Sequence, residues 1–192
     1  MKRYAALLLC LFPALALAHV GADAGIHHES AFLTGLVHPF TGLDHMAAMI
    51  MVGVWSVLAF REARAWAAPA SFATMLALGG LIGFSNSGLA LVEPMIAASL
   101  IVLGLLVGLK LRLPVTVGAT LVGAFAIFHG IAHGSELPAQ QAFTALSGML
   151  LGTLILHLAG MGLGRFVIGR SEWLPRLTGA AVALFGLSLL AA

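Results

Sequence analysis

The chain has 192 residues, 61% of them hydrophobic and only 8% charged, with a formal net charge of +2 and a mean hydropathy of +1.08. Soluble domains run nearer half apolar and a quarter charged, so this composition excludes a disordered chain, a nucleic-acid-binding module and an ordinary cytosolic enzyme. It predicts an all-α integral membrane protein, with room for roughly six or seven spans of about 20 residues and little besides.

The first 18 residues read as a cleavable signal peptide. Lys2 and Arg3 form its charged start, Ala5 to Leu17 its apolar stretch, and Ala16-Leu17-Ala18 a small-x-small cleavage site. Cleavage after Ala18 makes His19 the mature N-terminus; an uncleaved first helix is the competing reading. Leu9 is not the small residue expected before a lipidated cysteine. Cys10, the single cysteine, leaves with the signal. The mature chain is therefore expected to lack disulfides, thiolate metal sites and cysteine nucleophiles.

Residues 19–37 form a polar lead-in with a short helix expected near Ala31–Val37. It carries His19, Asp23, His27, His28 and Glu29. A free amine beside the His19 imidazole makes a chelate, and His27-His28-Glu29 adds ligands, so the tract suits collection of a divalent cation. A solvated tail is the rival reading.

Residues 38–192 read as one domain, a bundle of six transmembrane helices. The apolar runs predict spans at Pro39–Phe60, Trp66–Phe84, Val92–Leu111, Pro114–His133, Ala142–Met161 and Leu174–Ala191. With the mature N-terminus outside, Arg61, Arg64, Lys110, Arg112, Arg165, Arg170 and Arg176 all fall on the inner side. With Lys2 and Arg3 these are all nine basic residues, an arrangement that obeys the positive-inside rule throughout. The expected location is a bacterial inner membrane, with both mature termini in the periplasm. Without the signal, basic and acidic residues balance at seven each. Asp23, Glu29, Asp44, Glu93 and Glu136 lie toward the outer side with no basic residue there, so that face should attract cations. The polar motifs give no sign of an inverted repeat. The spacings Gly104/Gly108 and Gly148/Gly152 read as close helix packing.

Two motifs carry candidate chemistry. His38-Pro39-Phe40-Thr41-Gly42-Leu43-Asp44-His45 opens the first span. On a continuous helix His38 and His45 share a face, and Asp44 lies about 8 Å into the span at 1.5 Å per residue. Pro39 and Gly42 are placed to distort that first turn. An ionisable group at such depth marks function; a helix-start cap with interfacial histidines is the alternative. The second motif, Phe128-His129-Gly130-Ile131-Ala132-His133-Gly134-Ser135-Glu136, ends the fourth span. Positions 129, 133 and 136 point one way on a helix. Imidazole with carboxylate is a donor set for Ni²⁺, Co²⁺ or Zn²⁺, against a reading of hydrogen-bonded core histidines.

Other residues carry weaker signals. Glu93 opens the third span on the same side, as a ligand or as a helix-start acid at the dipole. Ser85, Asn86 and Ser87 end the second span as oxygen donors or as a plain loop. His157 stands alone toward the inner half of the fifth span, as a relay ligand or a core histidine. Met46, Met49 and Met51 read as packing or lipid-facing residues.

With HPFTGLDH on the first span and FHGIAHGSE on the fourth, in a short six-span chain behind a signal, the sequence resembles the HupE/UreJ family over essentially the whole mature chain. The resemblance implies a nickel permease tied to hydrogenase or urease maturation. Carried over, His38, Asp44, His45, His129, His133 and Glu136 match the family's metal-pathway motifs, and Glu93 matches by its position. The longer nickel/cobalt permeases carry a similar histidine and aspartate motif with one fewer intervening residue, in a larger bundle than this chain can build.

The expected activity is secondary transport of Ni²⁺, with Co²⁺ not excluded, and no permanently bound cofactor. The expected partners are the ion itself, the lipid bilayer and cytoplasmic nickel chaperones or maturation proteins, with no nucleic acid. There is no P-loop, so coupling must use an ion or proton gradient or sequestration of the metal inside. An intramembrane metalloenzyme built on His129, His133 and Glu136 is the main alternative. It lacks the glutamate that should follow the first histidine of a zinc protease, where Gly130 stands. A bis-histidine haem protein is a third.

Overall fold

The computed structural model describes residues 30–85, 90–167 and 170–191. The expected signal peptide, with Cys10, and the lead-in residues His19, Asp23, His27, His28 and Glu29 lie outside the described residues. All regular structure among the described residues is helical.

Helix α1 spans Ala31–Val37, where a short helix is predicted. It begins at Ser30, whose hydroxyl accepts from the Leu33 amide at 3.3 Å. A 3-10 turn over His38–Phe40 follows, and α2 spans Leu43–Ala59. The two limbs, Ala31–Phe40 and Leu43–Ala59, meet at 78°. Pro39 offers no amide to continue a helix, and Gly42 is extended at φ −97°, ψ 122°. The first predicted span is therefore corrected. It is no continuous helix from Pro39, and Asp44 sits in the first turn of α2 rather than 8 Å along a span.

The remaining helices are α3 (Ala67–Gly83), α4 (Val92–Gly108), α5 (Val115–Glu136), α6 (Ala142–Val167) and α7 (Trp173–Leu190). Each predicted apolar run becomes a helix, and among the described residues four or five of them meet the length and apolarity of a membrane span. Four stretches are long and apolar enough, Glu62–Gly83, Val115–Glu136, Ala139–Val167 and Trp173–Leu190, and the bent pair makes a fifth. At 17 residues, α4 extends about 26 Å, short of a hydrocarbon core of about 30 Å.

Helix α2 is central and packs on α6, α4 and α3; α1 lies on α6, α5 on α3 and α4, and α7 on α4. Its Met49, Met51, Val52 and Trp55 are buried with Phe72, Leu76, Leu100 and Met149 of the neighbours. The methionines are thus core packing, and Met46 packs against the same cluster. Helix α7 is peripheral, with Leu177, Leu184 and Leu187 exposed, as suits a lipid-facing rim.

Glycines set the closest approach. A Cβ on Gly130 would strike the Leu76 carbonyl of α3, and one on Gly134 the Gly80 carbonyl. Gly104 meets the Gly179 carbonyl of α7 with the same effect, and Gly148 the Phe32 carbonyl of α1. The small-residue spacings therefore seat helices, as predicted.

Candidate metal centre

The bend between α1 and α2 decides the site. It turns His38 and His45 toward the C-terminal end of α5, where continuous helix keeps His129, His133 and Glu136 on one side. Gly130 and Gly134 occupy the adjacent face and press it against α3. The motif thus divides into a packing pair of glycines and a chemical pair of histidines, each at i, i+4 spacing.

The four rings form a connected cluster, His38 on His133, His133 on His45 and His45 on His129. His45 lies 4.3 Å from His133 between ring centroids, His38 4.7 Å from His133, and His45 4.9 Å from His129. His129 is 0% exposed and His133 3%. His38 Nε2 lies 3.0 Å from Glu136 Oε2, whose side chain is 60% exposed at the rim. One ligand atom from each of His38, His133 and Glu136 falls within 4.8 Å of the other two. Ligands bound at about 2.1 Å in a tetrahedron stand about 3.4 Å apart, so small rotamer changes would close these three on one ion.

Hydrogen bonds assign the free nitrogens. Asp44 Oδ1 accepts from the His45 backbone amide at 2.8 Å and lies 2.9 Å from His45 Nδ1. A carboxylate only accepts, so Nδ1 carries the proton and Nε2 keeps its lone pair. Ser99 of α4 donates its single hydroxyl proton to the Ile96 carbonyl at 2.6 Å. Its oxygen can then only accept from His129 Nε2, 2.9 Å away, which leaves His129 Nδ1 as the free donor atom. His45 Nε2, His129 Nδ1 and both nitrogens of His133 are buried without a hydrogen-bond partner among the described residues; so is His38 Nε2, whose approach to Glu136 is close but unaligned. An unsatisfied buried polar group costs about 1–3 kcal/mol. Such a set of lone pairs fits a cation that accepts imidazole and carboxylate donors.

Two contributors were missed in the sequence. Ser99 is the one polar residue inside the apolar run of α4, which is itself a signal. Phe72 packs between the rings of His129 and His157, tilted to the first and edge-on to the second, with centroids at 5.6 and 5.1 Å; as one phenylalanine among 11 it carried none. His157 is buried, with Nε2 unpartnered and close on its helix to the equally unpartnered Thr153 hydroxyl, but it stands across Phe72 from the four rings. Glu93 is exposed in the first turn of α4 and is not brought into the group. Ser85 bonds back to the Ile82 carbonyl, while Asn86 and Ser87 lie outside the described residues.

Apolar helices with four clustered imidazoles at one end, and a carboxylate at the exposed rim of that cluster, define a helical membrane protein. The family model described as HupE / UreJ protein matches residues 7–189. The protein HupE of Rhizobium leguminosarum bv. viciae is 42% identical over 180 residues, covering 93% of this chain and 91% of that protein. No solved structure matches the chain at a significant level. The chain belongs to the HupE/UreJ family.

Proposed function

We propose that the protein is a secondary permease for Ni²⁺, with Co²⁺ as the alternative cargo, moving the ion from periplasm to cytoplasm for hydrogenase or urease maturation. The observation that carries this reading is the convergence of His38, His45, His129 and His133 with buried, unpartnered nitrogens. Mixed imidazole and carboxylate ligands dehydrate a divalent ion yet release it, which a closed thiolate cage would not.

In this reading the signal peptide is removed, six helices span the inner membrane with α4 as a short span seated between its neighbours, and both termini face the periplasm. His19, His27 and His28 gather the ion with the outer acids, Glu93 among them. Glu136 and His38 receive it at the rim, and His133, His45 and His129 strip its water. His157 takes it onward, to cytoplasmic chaperones or maturation proteins. No cofactor stays bound. The metalloenzyme alternative is disfavoured by Gly130, whose Cα is packed so tightly on α3 that the glutamate of a zinc protease has no room there.

Radioactive nickel uptake by cells with and without the chain tests the proposal, with cobalt and zinc as competitors. His133→Ala and His133→Gln should both abolish uptake while the protein still inserts. Wild-type uptake by the glutamine variant would reduce the motif to packing.

A further inference from the structure

The end of the molecule opposite the histidines carries its own unassigned feature. A cavity of about 630 Å³ lies between the ends of α2, α4, α6 and α7. Arg61, Lys110, Arg112 and Arg170 line it, with Glu172 as the single acid among the lining residues. The ion pairs among the described residues all belong to histidines, so these four cations meet no carboxylate. A second cavity, a groove of about 390 Å³ between α4 and α7, runs from Gly104 past Gly108 and Gly179 to Arg176 and shares Lys110 with the first.

Lys110 itself is strained. It has φ 53°, alone among the described non-glycine residues in being positive. It occupies the position just past the end of α4, where its amide bonds to the Val107 carbonyl and the Leu111 amide to that of Leu106. Glycine is the usual residue there, because a Cβ crowds the following carbonyl oxygen in that conformation. A lysine kept at such a position places one ammonium at the junction of a cationic cavity and an apolar groove. Arg170 donates to the Phe166 carbonyl at 2.8 Å, but like charges gathered without a carboxylate among the described residues repel until an anion joins them. The groove beside them is floored by glycine and walled by Leu105, Ala180 and Ala183, a surface for a hydrocarbon chain and not for a free anion.

We infer that this end binds an anionic phospholipid, its phosphate among Lys110, Arg61, Arg112 and Arg170 and an acyl chain in the α4–α7 groove. Basic pockets between helices at a membrane surface recognise headgroups in this way.

The test uses the full-length protein, delipidated in a neutral detergent and offered phosphatidylglycerol, phosphatidylcholine or inorganic phosphate, with bound lipid counted by native mass spectrometry. Phosphatidylglycerol should be retained over phosphatidylcholine, and inorganic phosphate should not displace it. Lys110→Asn keeps a residue that tolerates positive φ, and should weaken retention about fivefold, the effect of one charge near an anionic headgroup. Arg112→Gln, on an exposed loop, should do the same if the first variant folds poorly. Gly108→Leu keeps every charge and fills the groove, its Cβ meeting nothing nearer than 3.5 Å; it should also lose the lipid. Equal retention of the two lipids, unchanged retention in the charge variants, or displacement by inorganic phosphate would overturn the inference. Unchanged retention by Gly108→Leu would overturn the acyl-chain assignment.

Discussion

Asp44 acts through His45. Its Oδ1 faces both the backbone amide and the ring Nδ1 of that residue, which fixes the tautomer and turns Nε2 toward His133 and His129. Carboxylate partners of ligating histidines typically change metal affinity 10- to 100-fold when removed. Asp44→Asn should therefore lower Ni²⁺ affinity by about that factor, read as a raised KM for uptake, because an amide nitrogen can face Nδ1–H and release the ring. His45→Ala, which removes the proposed ligand nitrogen, should abolish uptake at any nickel concentration tested. If the two variants fail alike, Asp44 is itself a ligand. The residue types and their spacing were legible in the sequence. The division of labour was not, because a tautomer depends on which acceptor lies within hydrogen-bond reach.

At the scale of elements, α3 and α5 form one unit. Gly79, Gly83, Gly130 and Gly134 let backbone meet backbone, each with a carbonyl of the opposite helix where a Cβ would stand. Gly130→Ala should push α5 off α3, cost about 1–3 kcal/mol by overpacking and lower the Tm in detergent. Nickel binding should fall with it, since His129 and His133 ride on the same turn. Gly162→Ala is the control: nothing lies within 4 Å of its Cβ position, and alanine favours a helix interior by about 0.5–1 kcal/mol over glycine. That variant should be neutral or stabilised. A Gly130→Ala protein as stable as the wild type would show that the helices are free to part. The helices themselves were readable from apolar runs. The 78° bend was legible only as a distortion at Pro39 and Gly42, since either residue can end a helix but neither sets the angle.

Across the described residues, the basic cavity and the histidine cluster occupy opposite ends. Arg61, Lys110, Arg112 and Arg170 surround one cavity, while the four histidines meet at the other end of the same helices. Such polarity fixes orientation if the basic end faces the cytoplasm. A cysteine at Ala139 should then react with an impermeant thiol reagent applied from outside, and one at Ala63 should not; both positions are exposed. The opposite labelling pattern would place the histidines on the cytoplasmic side and reverse the proposed direction of transport.

Composition and pattern alone determined that this is a helical membrane protein, where most of its helices run, which end holds its positive charge, and which histidines and acids stand close in the sequence. These properties are local: each follows from the apolarity of one stretch or the side chain of one residue. Tertiary structure decided the rest. The joint assembly of His38 and His45 with His133, the capture of His129 by Ser99, the ring of Phe72 before His157 and the exclusion of Glu93 all depend on how α2, α4, α5 and α6 pack. That packing rests on a local bend at Pro39–Gly42 and on glycine contacts between helices far apart in the chain, and no single stretch of sequence contains those contacts.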